Sequence, residues 1–301
     1  MKQNEKIIVV GSSNTDMTIK SPEIPRPGET VLGGEFKMGA GGKGANQAVA
    51  AKRLGGDVTF ICKVGNDMFG DRSLKSYDEE GIDVSHVMRC DRPSGVALIL
   101  VDSGAENCIS VASGANAEIT PADIESAAGI IRKAGILLLQ QEIPIESVLK
   151  AAQIAYEAGT FVILNPAPAC SLPDEIYKYV DLMIPNQTET EFYTGIKVFD
   201  EFSAEKAASK LLSKGVRNVI ITMGSYGSMT FTSEGGKFFT ASRKVKAIDT
   251  TAAGDTFCGA VAVALSEGKS FEAAVGFATL ASSLAVQKIG AQESIPFREN
   301  L

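Results

Sequence analysis

Six short runs along the 301-residue chain are apolar at nearly every position: "KIIVVG" (6–11), "VTFICKV" (58–64), "GILLLQ" (135–140), "TFVILN" (160–165), "DLMIPN" (181–186) and "NVIITMG" (218–224). Strands buried on both faces read this way, because neither side of the pleat is left to water. Between several of them the pattern turns helical, in "GANQAVAAKRLG", "TPADIESAAGIIRKAG", "PIESVLKAAQIAYEAG" and "SAEKAASKLLSKG". The second opens on Thr120 as N-cap with Pro121 at the first helical position, and the last three close on a glycine. Strands alternating with helices predict an α/β fold around a mostly parallel sheet with right-handed crossovers.

Two segments break the rhythm. "MTIKSPEIPRPGETVLGGEF" (17–36) and "SGVALILVDSGAENCISVAS" (94–113) read as strand, turn, strand with no helix between. They predict a small antiparallel sheet standing off the main one, either a lid over a site or an edge hairpin without a role. His86, the single histidine, sits among apolar neighbours in "VSHVM" and reads as a strand residue that packs, not one that reacts.

Composition narrows the chemistry. A net charge of -7 with no Lys/Arg block excludes the usual nucleic-acid binder and favours small-molecule partners. Cys62, Cys90, Cys108, Cys170 and Cys258 show no CxxC spacing, so neither a zinc site nor a disulfide framework is expected, and the compartment reads as reduced and cytoplasmic. The apolar run near the N-terminus is too short for a signal segment, and "FEAAVGFATLASSLAVQ" reads as a buried core helix instead of a membrane span.

Ligands of open parallel sheets sit beyond the carboxyl ends of the strands, which draws attention to Asn14, Asp16, Glu142, Asn165, Asn186, Glu189 and Thr222. Glycine loops add to these. "GAGGKGAN" (39–46) contains G-x-G-x-x-G, but the acidic residue that a dinucleotide site needs at the end of the next strand is missing: Asp57 opens that strand. "EGKS" (267–270) fails as a phosphate loop of the G-x-x-x-x-G-K-[ST] type, because Val263 stands where its first glycine should be. In "DTTAAGDTFCGA" (249–260) the small residues Ala252, Ala253 and Gly254 leave backbone N–H groups uncovered at the start of an apolar helix, an anion site suited to a phosphoryl group. Asp255 at its lip is either a helix cap, the commoner role of such an aspartate, or a base that takes a proton from a hydroxyl.

"GAGGKGANQA" and "DTTAAGDTFCGA" together resemble the two signature patterns of the PfkB family of carbohydrate kinases, and the likeness continues through "GSSNTDM", "PRPGET", "NPAPA", "PNQTETE", "ITMGSYG" and "GAQESIPF". The resemblance implies a single three-layer α/β kinase domain over 1–301 with lid strands inserted at about 17–36 and 94–113. The implied reaction is ATP-dependent phosphorylation of D-ribose at the 5-hydroxyl, with deoxyribose, fructose or a nucleoside as alternative acceptors. By position, Asn14, Asp16, Gly42, Lys43, Asn46 and Glu142 would hold the sugar and Asp255 would be the base. Asn186, Thr222, Gly224, Gly227, Gly254 and Thr279 would bind ATP, and Ala252 to Gly254 would form the anion hole. Glu189, in "NQTE", would assist Mg²⁺ through water; Asp249, Thr251, Ala285, Lys288, Gly290 and Ser294 would hold a monovalent cation, K⁺. A homodimer joined through the lid is also implied.

Overall fold

The computed structural model describes residues 5–104 and 106–301. Residues 1–4, part of the segment on which the absence of a targeting signal was read, and Ala105, inside the second hairpin, lie outside the described residues.

The chain begins with β1 (Ile7–Val10), β2 (Asn14–Lys20), β3 (Glu35–Gly41), α1 (Lys43–Arg53), β4 (Val58–Gly65), α2 (Met68–Glu79), β5 (Val87–Cys90), β6 (Gly95–Val101) and β7 (Asn107–Ala112). It continues through α3 (Pro121–Ser126), α4 (Ala128–Ile131), β8 (Ile136–Leu139), α5 (Ile145–Ala158), β9 (Phe161–Leu164), β10 (Leu182–Met183), α6 (Gln187–Thr194) and α7 (Glu201–Ser213). Last come β11 (Asn218–Thr222), β12 (Gly227–Thr232), β13 (Lys237–Ala241), α8 (Ala253–Ser266) and α9 (Phe271–Ala285).

Nine strands form one sheet in the order β13-β12-β11-β10-β9-β8-β1-β4-β5, parallel from β5 to β11, with β12 antiparallel to both its neighbours. Every residue of β1, β4 and β8 is buried, as the continuous apolar runs predict. Alternate residues feed two cores. Ile7, Val9, Phe60 and Leu138 pack under α1, α2, α8 and α9; Ile8, Val10, Leu137 and Leu139 pack under α3, α4, α5 and α7. The result is three layers, helices on both faces of a sheet.

The hairpins form a second sheet, β3-β2-β6-β7. It is mixed, not antiparallel as expected, because β2 and β6 both leave the main sheet in the same direction and pair in parallel, Asn14 opposite Gly95 through Lys20 opposite Val101. Three smaller expectations also change. The helix opening on Thr120 keeps its capping box with Asp123 but breaks at Ala127 into α3 and α4, where the Ala127 N–H turns to Ile124 O. The "DLMIPN" strand shortens to two residues, since Pro185 has no N–H for a ladder. His86 lies in the turn before β5, half-buried, not on a strand.

Candidate active site

Strand order reverses between β1 and β8, with β4 and β5 running out on one side and β9 to β11 on the other. Ligands of open parallel sheets bind beyond the strand ends at such a switch point. Here β1 delivers Ser12, Ser13 and Asn14, while β8 delivers Gln140, Gln141 and Glu142.

The first glycine loop brings α1 up against this point. Gly42 is the residue before α1 and has φ 89°, and a Cβ there would lie 2.8 Å from the Asn14 nitrogen; one on Gly41 would overlap the Asp16 carboxylate. Glycine is therefore required for backbone approach, not merely for a turn. Glu142 accepts hydrogen bonds from the Lys43 N–H at 2.9 Å and from the Ser12 hydroxyl, so a carboxylate from the β8 end sits on the positive end of α1.

The second loop opens α8. Its N-cap is Ala252, at φ 58° the one non-glycine residue with positive φ among the described residues, and no side chain caps the helix. The capping role expected as the commoner alternative for Asp255 is thus excluded by position: Asp255 lies three residues past the cap. Its carboxylate instead accepts from Asn46 Nδ2 and Gln47 Nε2, each at 3.0 Å, and the residue is only 6% exposed. Gln47, fully buried, also donates to Asn165 Oδ1 at 3.0 Å and accepts from Gln140 Nε2 at 2.6 Å. This amide chain fixes the rotation of Asp255. Asn46 Oδ1 is buried without a partner, an acceptor waiting for a donor such as a sugar hydroxyl.

Two cavities lie beside these loops, the first bordered by Glu142 and the second by Lys43, whose N–H donates to Glu142. One, about 360 Å³, is lined by Asn14, Asn116, Glu142 and apolar residues including Val111 of β7 and Pro168. The other, about 200 Å³, is lined by Lys43, Asn165, Asn186, Glu189, Thr222, Thr250, Ala252, Gly254, Asp255 and Cys258. Of the expected sugar residues, Asp16, Gly42 and Asn46 line neither cavity, but the carboxylates around them crowd one another. Burial, then Glu142, Glu293 and Asp255, push Asp16 up to about 6. Asp255, with smaller help from Glu142 and Glu189, outweighs burial and lifts Lys43 above the usual lysine range, so it stays cationic.

Not every expected nucleotide residue reaches these cavities. Asn186 and Glu189 do, but they also form a capping box at α6: Asn186 Oδ1 accepts from the Glu189 N–H and Glu189 Oε2 from the Asn186 N–H, both at 2.8 Å. Burial raises Glu189 despite that amide and Lys43. Gly224, Gly227 and Thr279 line neither cavity; Thr279 Oγ1 donates to Val275 O within α9. In the anion-hole trio Ala253 also departs from expectation, because its N–H donates to Thr250 O inside the turn, which leaves Gly254 and Asp255 with the open first-turn amides.

Of the six expected cation residues, Asp249, Thr251 and Gly290 are hydrogen-bonded together beside the end of α9, whose last residue is Ala285. Asp249 accepts from the Thr251 N–H (2.9 Å) and hydroxyl (2.6 Å) and from the Gly290 N–H (2.9 Å). Burial opposes its ionisation, yet these donors, with Lys20, hold it below the usual carboxylate range. Lys288 is exposed, its N–H turned to Ala285 O, and Ser294 Oγ donates to Ala291 O.

Sequence reading missed Ser12, Gln47, Asn116 and Thr250. Thr250 lies inside the glycine segment 249–260; Gln47, one residue past Asn46, has the pattern of helix interior, and only the α1–α8 crossing turns it toward Asp255.

A profile of the "pfkB family carbohydrate kinase" matches residues 4–298. The chain belongs to this family, and it is an enzyme of the phosphotransferase kind. It is 44% identical over 299 residues to the ribokinase of Haemophilus influenzae, covering 97% of this chain and 96% of that one. The deoxyribokinase of Salmonella typhi is 38% identical, over 96% and 95% of the two chains. Among solved structures, Arabidopsis thaliana ribokinase complexed with ribose and ATP superimposes with a TM-score of 0.91 at 33% identity, covering 99% of this chain and 97% of that one.

Proposed function

We propose that this chain, acting as a single kinase domain, transfers the γ-phosphoryl group of ATP to the 5-hydroxyl of D-ribose. The observation that carries the chemistry is Asp255: a carboxylate held by two amides at the first turn of α8, in one cavity with Lys43 and the open amides of that turn. Phosphoryl transfer asks for alignment and charge stabilisation more than for covalent chemistry. Asp255 takes the proton of the attacking hydroxyl as the Gly254 and Asp255 amides and the α8 dipole receive the transferring group, joined by Lys43, which was expected at the sugar but lines the cavity of Asp255 and Gly254. Asn14, Asp16, Gly42, Asn46 and Glu142 hold the remaining hydroxyls, and unpaired polar groups penalise the wrong sugar. Asn186 and Thr222 flank the phosphates, with Gly224, Gly227 and Thr279 further out along the nucleotide.

Among the described residues no group of three or more His, Cys, Asp or Glu could cage a metal. That donor set fits magnesium carried mainly by nucleotide phosphates and approached by Glu189, whose Oε1 has no cap partner. The Asp249 loop, with its one ionised carboxylate and neighbouring backbone carbonyls, fits a monovalent cation. When bound, the two ions supply positive charge around the phosphates. We further read a homodimer and a cytoplasmic location. Ile19, Phe36 and Leu98 share one face of the small sheet, are 40%, 62% and 56% exposed, and suit a second copy; sedimentation equilibrium giving one chain would remove the dimer. Among the described residues no helix is long and apolar enough to cross a membrane.

Coupled ADP release over a sugar panel tests the substrate. Ribose should be turned over at the highest kcat/KM; 2-deoxyribose, fructose or adenosine performing as well would overturn the ribose assignment. The deoxyribokinase relative makes 2-deoxyribose the competitor to measure first.

The Asp16 carboxyl adds a pH test. It must be ionised to accept from two sugar hydroxyls, and its carboxyl stands near 6. Ribose KM should therefore stay level from pH 8 to 7 and climb as pH falls through 6, and Asp16→Asn should raise KM at all pH values and flatten that climb. A wild-type KM level down to pH 5 would contradict it.

A further inference from the structure

Asn14 can meet a sugar in two ways, offering its carbonyl oxygen or its amide, and the two select opposite hydrogen-bond roles in the sugar hydroxyl. A residue outside the expected site decides between them. Asn116 is 1% exposed, lies in the turn after β7 and borders the 360 Å³ cavity. The Ser13 backbone N–H, which can only donate, gives its hydrogen bond to Asn116 Oδ1 at 2.9 Å. That bond fixes which way the Asn116 amide faces. Its Nδ2 then points at Ser13 O, 3.2 Å away, and at Asn14 Oδ1, 2.7 Å away.

The Asn14 oxygen is thereby turned toward Asn116, with one of its two acceptor sites taken, and Nδ2 is the end of the amide turned away from Asn116, in a side chain that lines the cavity. Glycine at 95 makes room for this pair, since a Cβ there would overlap both Asn14 Oδ1 and Asn116 Nδ2. The Ser13 hydroxyl, paired with the buried Tyr77 hydroxyl at 2.6 Å, pins the same backbone from the other side. Asn14 heads β2, Gly95 heads β6, and Asn116 follows β7, so the contact joins the roots of three strands of the small sheet at the sugar cavity.

We propose that Asn116 is a positioning residue that sets the Asn14 amide as a hydrogen-bond donor to the sugar, so that the site selects a hydroxyl oxygen acting as acceptor at that point. This rests on the sugar-kinase reading given above.

Two pairs of variants test it, with ribose KM, ATP KM, kcat and Tm measured on each. Asn116→Asp keeps an acceptor for the Ser13 N–H but cannot donate to Asn14, whose amide then turns round and shows its oxygen to the sugar. Its ribose KM should rise on the order of 10- to 100-fold, the cost of a mispaired buried polar group, while ATP KM moves less than about threefold, within the noise of an unrelated site. Asn116→Ala releases Asn14 without turning it, so its ribose KM should rise less than that of Asn116→Asp even where its Tm falls more. A purely structural role orders the two by Tm, and that order would overturn the proposal. In the second pair Asn14→Asp can still accept from Asn116 but has lost the donor, so its ribose KM should be at least as high as that of Asn14→Ala. An Asn14→Asp enzyme within twofold of wild type in ribose KM would overturn the proposal as well. Wild-type enzyme inactive on ribose would instead discard the substrate reading, a separate outcome seen before any variant is made.

Discussion

Asp255→Asn should lower kcat by about 10² to 10⁴, the range of a lost general base, with ribose and ATP KM changed little. The substitution keeps the shape of a side chain buried at the first turn of α8 and pressed against Asn46 and Gln47. One of its two polar ends becomes a donor facing a donor, so a single hydrogen bond is lost and the other persists. What disappears completely is the proton acceptor beside the open amides of Gly254 and residue 255. ADP release under saturating substrates gives kcat, and a thermal melt shows whether the fold is kept. A kcat near wild type would remove Asp255 from the base role; an intact kcat with a raised ribose KM would make it a binding residue only.

Gly259→Ala should destabilise the protein by about 1–3 kcal/mol, the usual cost of overpacking a close contact, and should cost activity too. Gly259 is one turn after Asp255, where α8 crosses α1. A Cβ there would stand 2.7 Å from Ala50 Cβ, 2.9 Å from Ala51 N and 2.9 Å from Gln47 O. Two of those atoms are backbone and cannot swing away. Alanine gains at most about 1 kcal/mol of helix propensity over glycine, which the clash exceeds. The helices must then part, carrying Asn46 and Gln47 away from Asp255, and kcat/KM should fall tenfold or more, since misplacement approaching 1 Å at a reacting group can cost about 10². Gly276→Ala on α9 is the control: its Cβ would meet nothing within 4 Å. It should stabilise by about 0.4–1 kcal/mol through the unfolded chain. Chemical denaturation of the two variants should give opposite signs; equal signs would contradict the packing argument.

The stretches that carried meaning locally were legible. The runs in β1, β4, β8 and β11 announce strands sealed on both faces, and the glycines at 41 and 42 announce a backbone approached closely. Where a local signal had two structural meanings, it misled. Asp255 has the residue type and position of a cap, but the left-handed turn at Ala252 moves the helix start three residues earlier. "NQTE" forms a capping box at the start of α6, and the same Asn186 and Glu189 also line the Asp255 cavity, so one local signal serves the helix while its residues face the site. The small sheet was foreseen as two hairpins; the parallel pairing of β2 with β6 joins them across some eighty residues, a separation no turn signal spans.

Hydrophobic period, turn residues and helix starts are properties of neighbouring residues, so the chain alone dictated an α/β sheet, the glycine loops and most of the polar groups at the strand ends. Hydrogen-bond direction is a property of partners. Whether Asn14 gives or accepts, whether Gln47 packs or holds Asp255, and whether Ala253 is free for an anion were decided only when α1, α8 and the turn at Asn116 met around the ends of β1 and β8, because an amide has no preferred face until a fixed backbone donor takes one side of it.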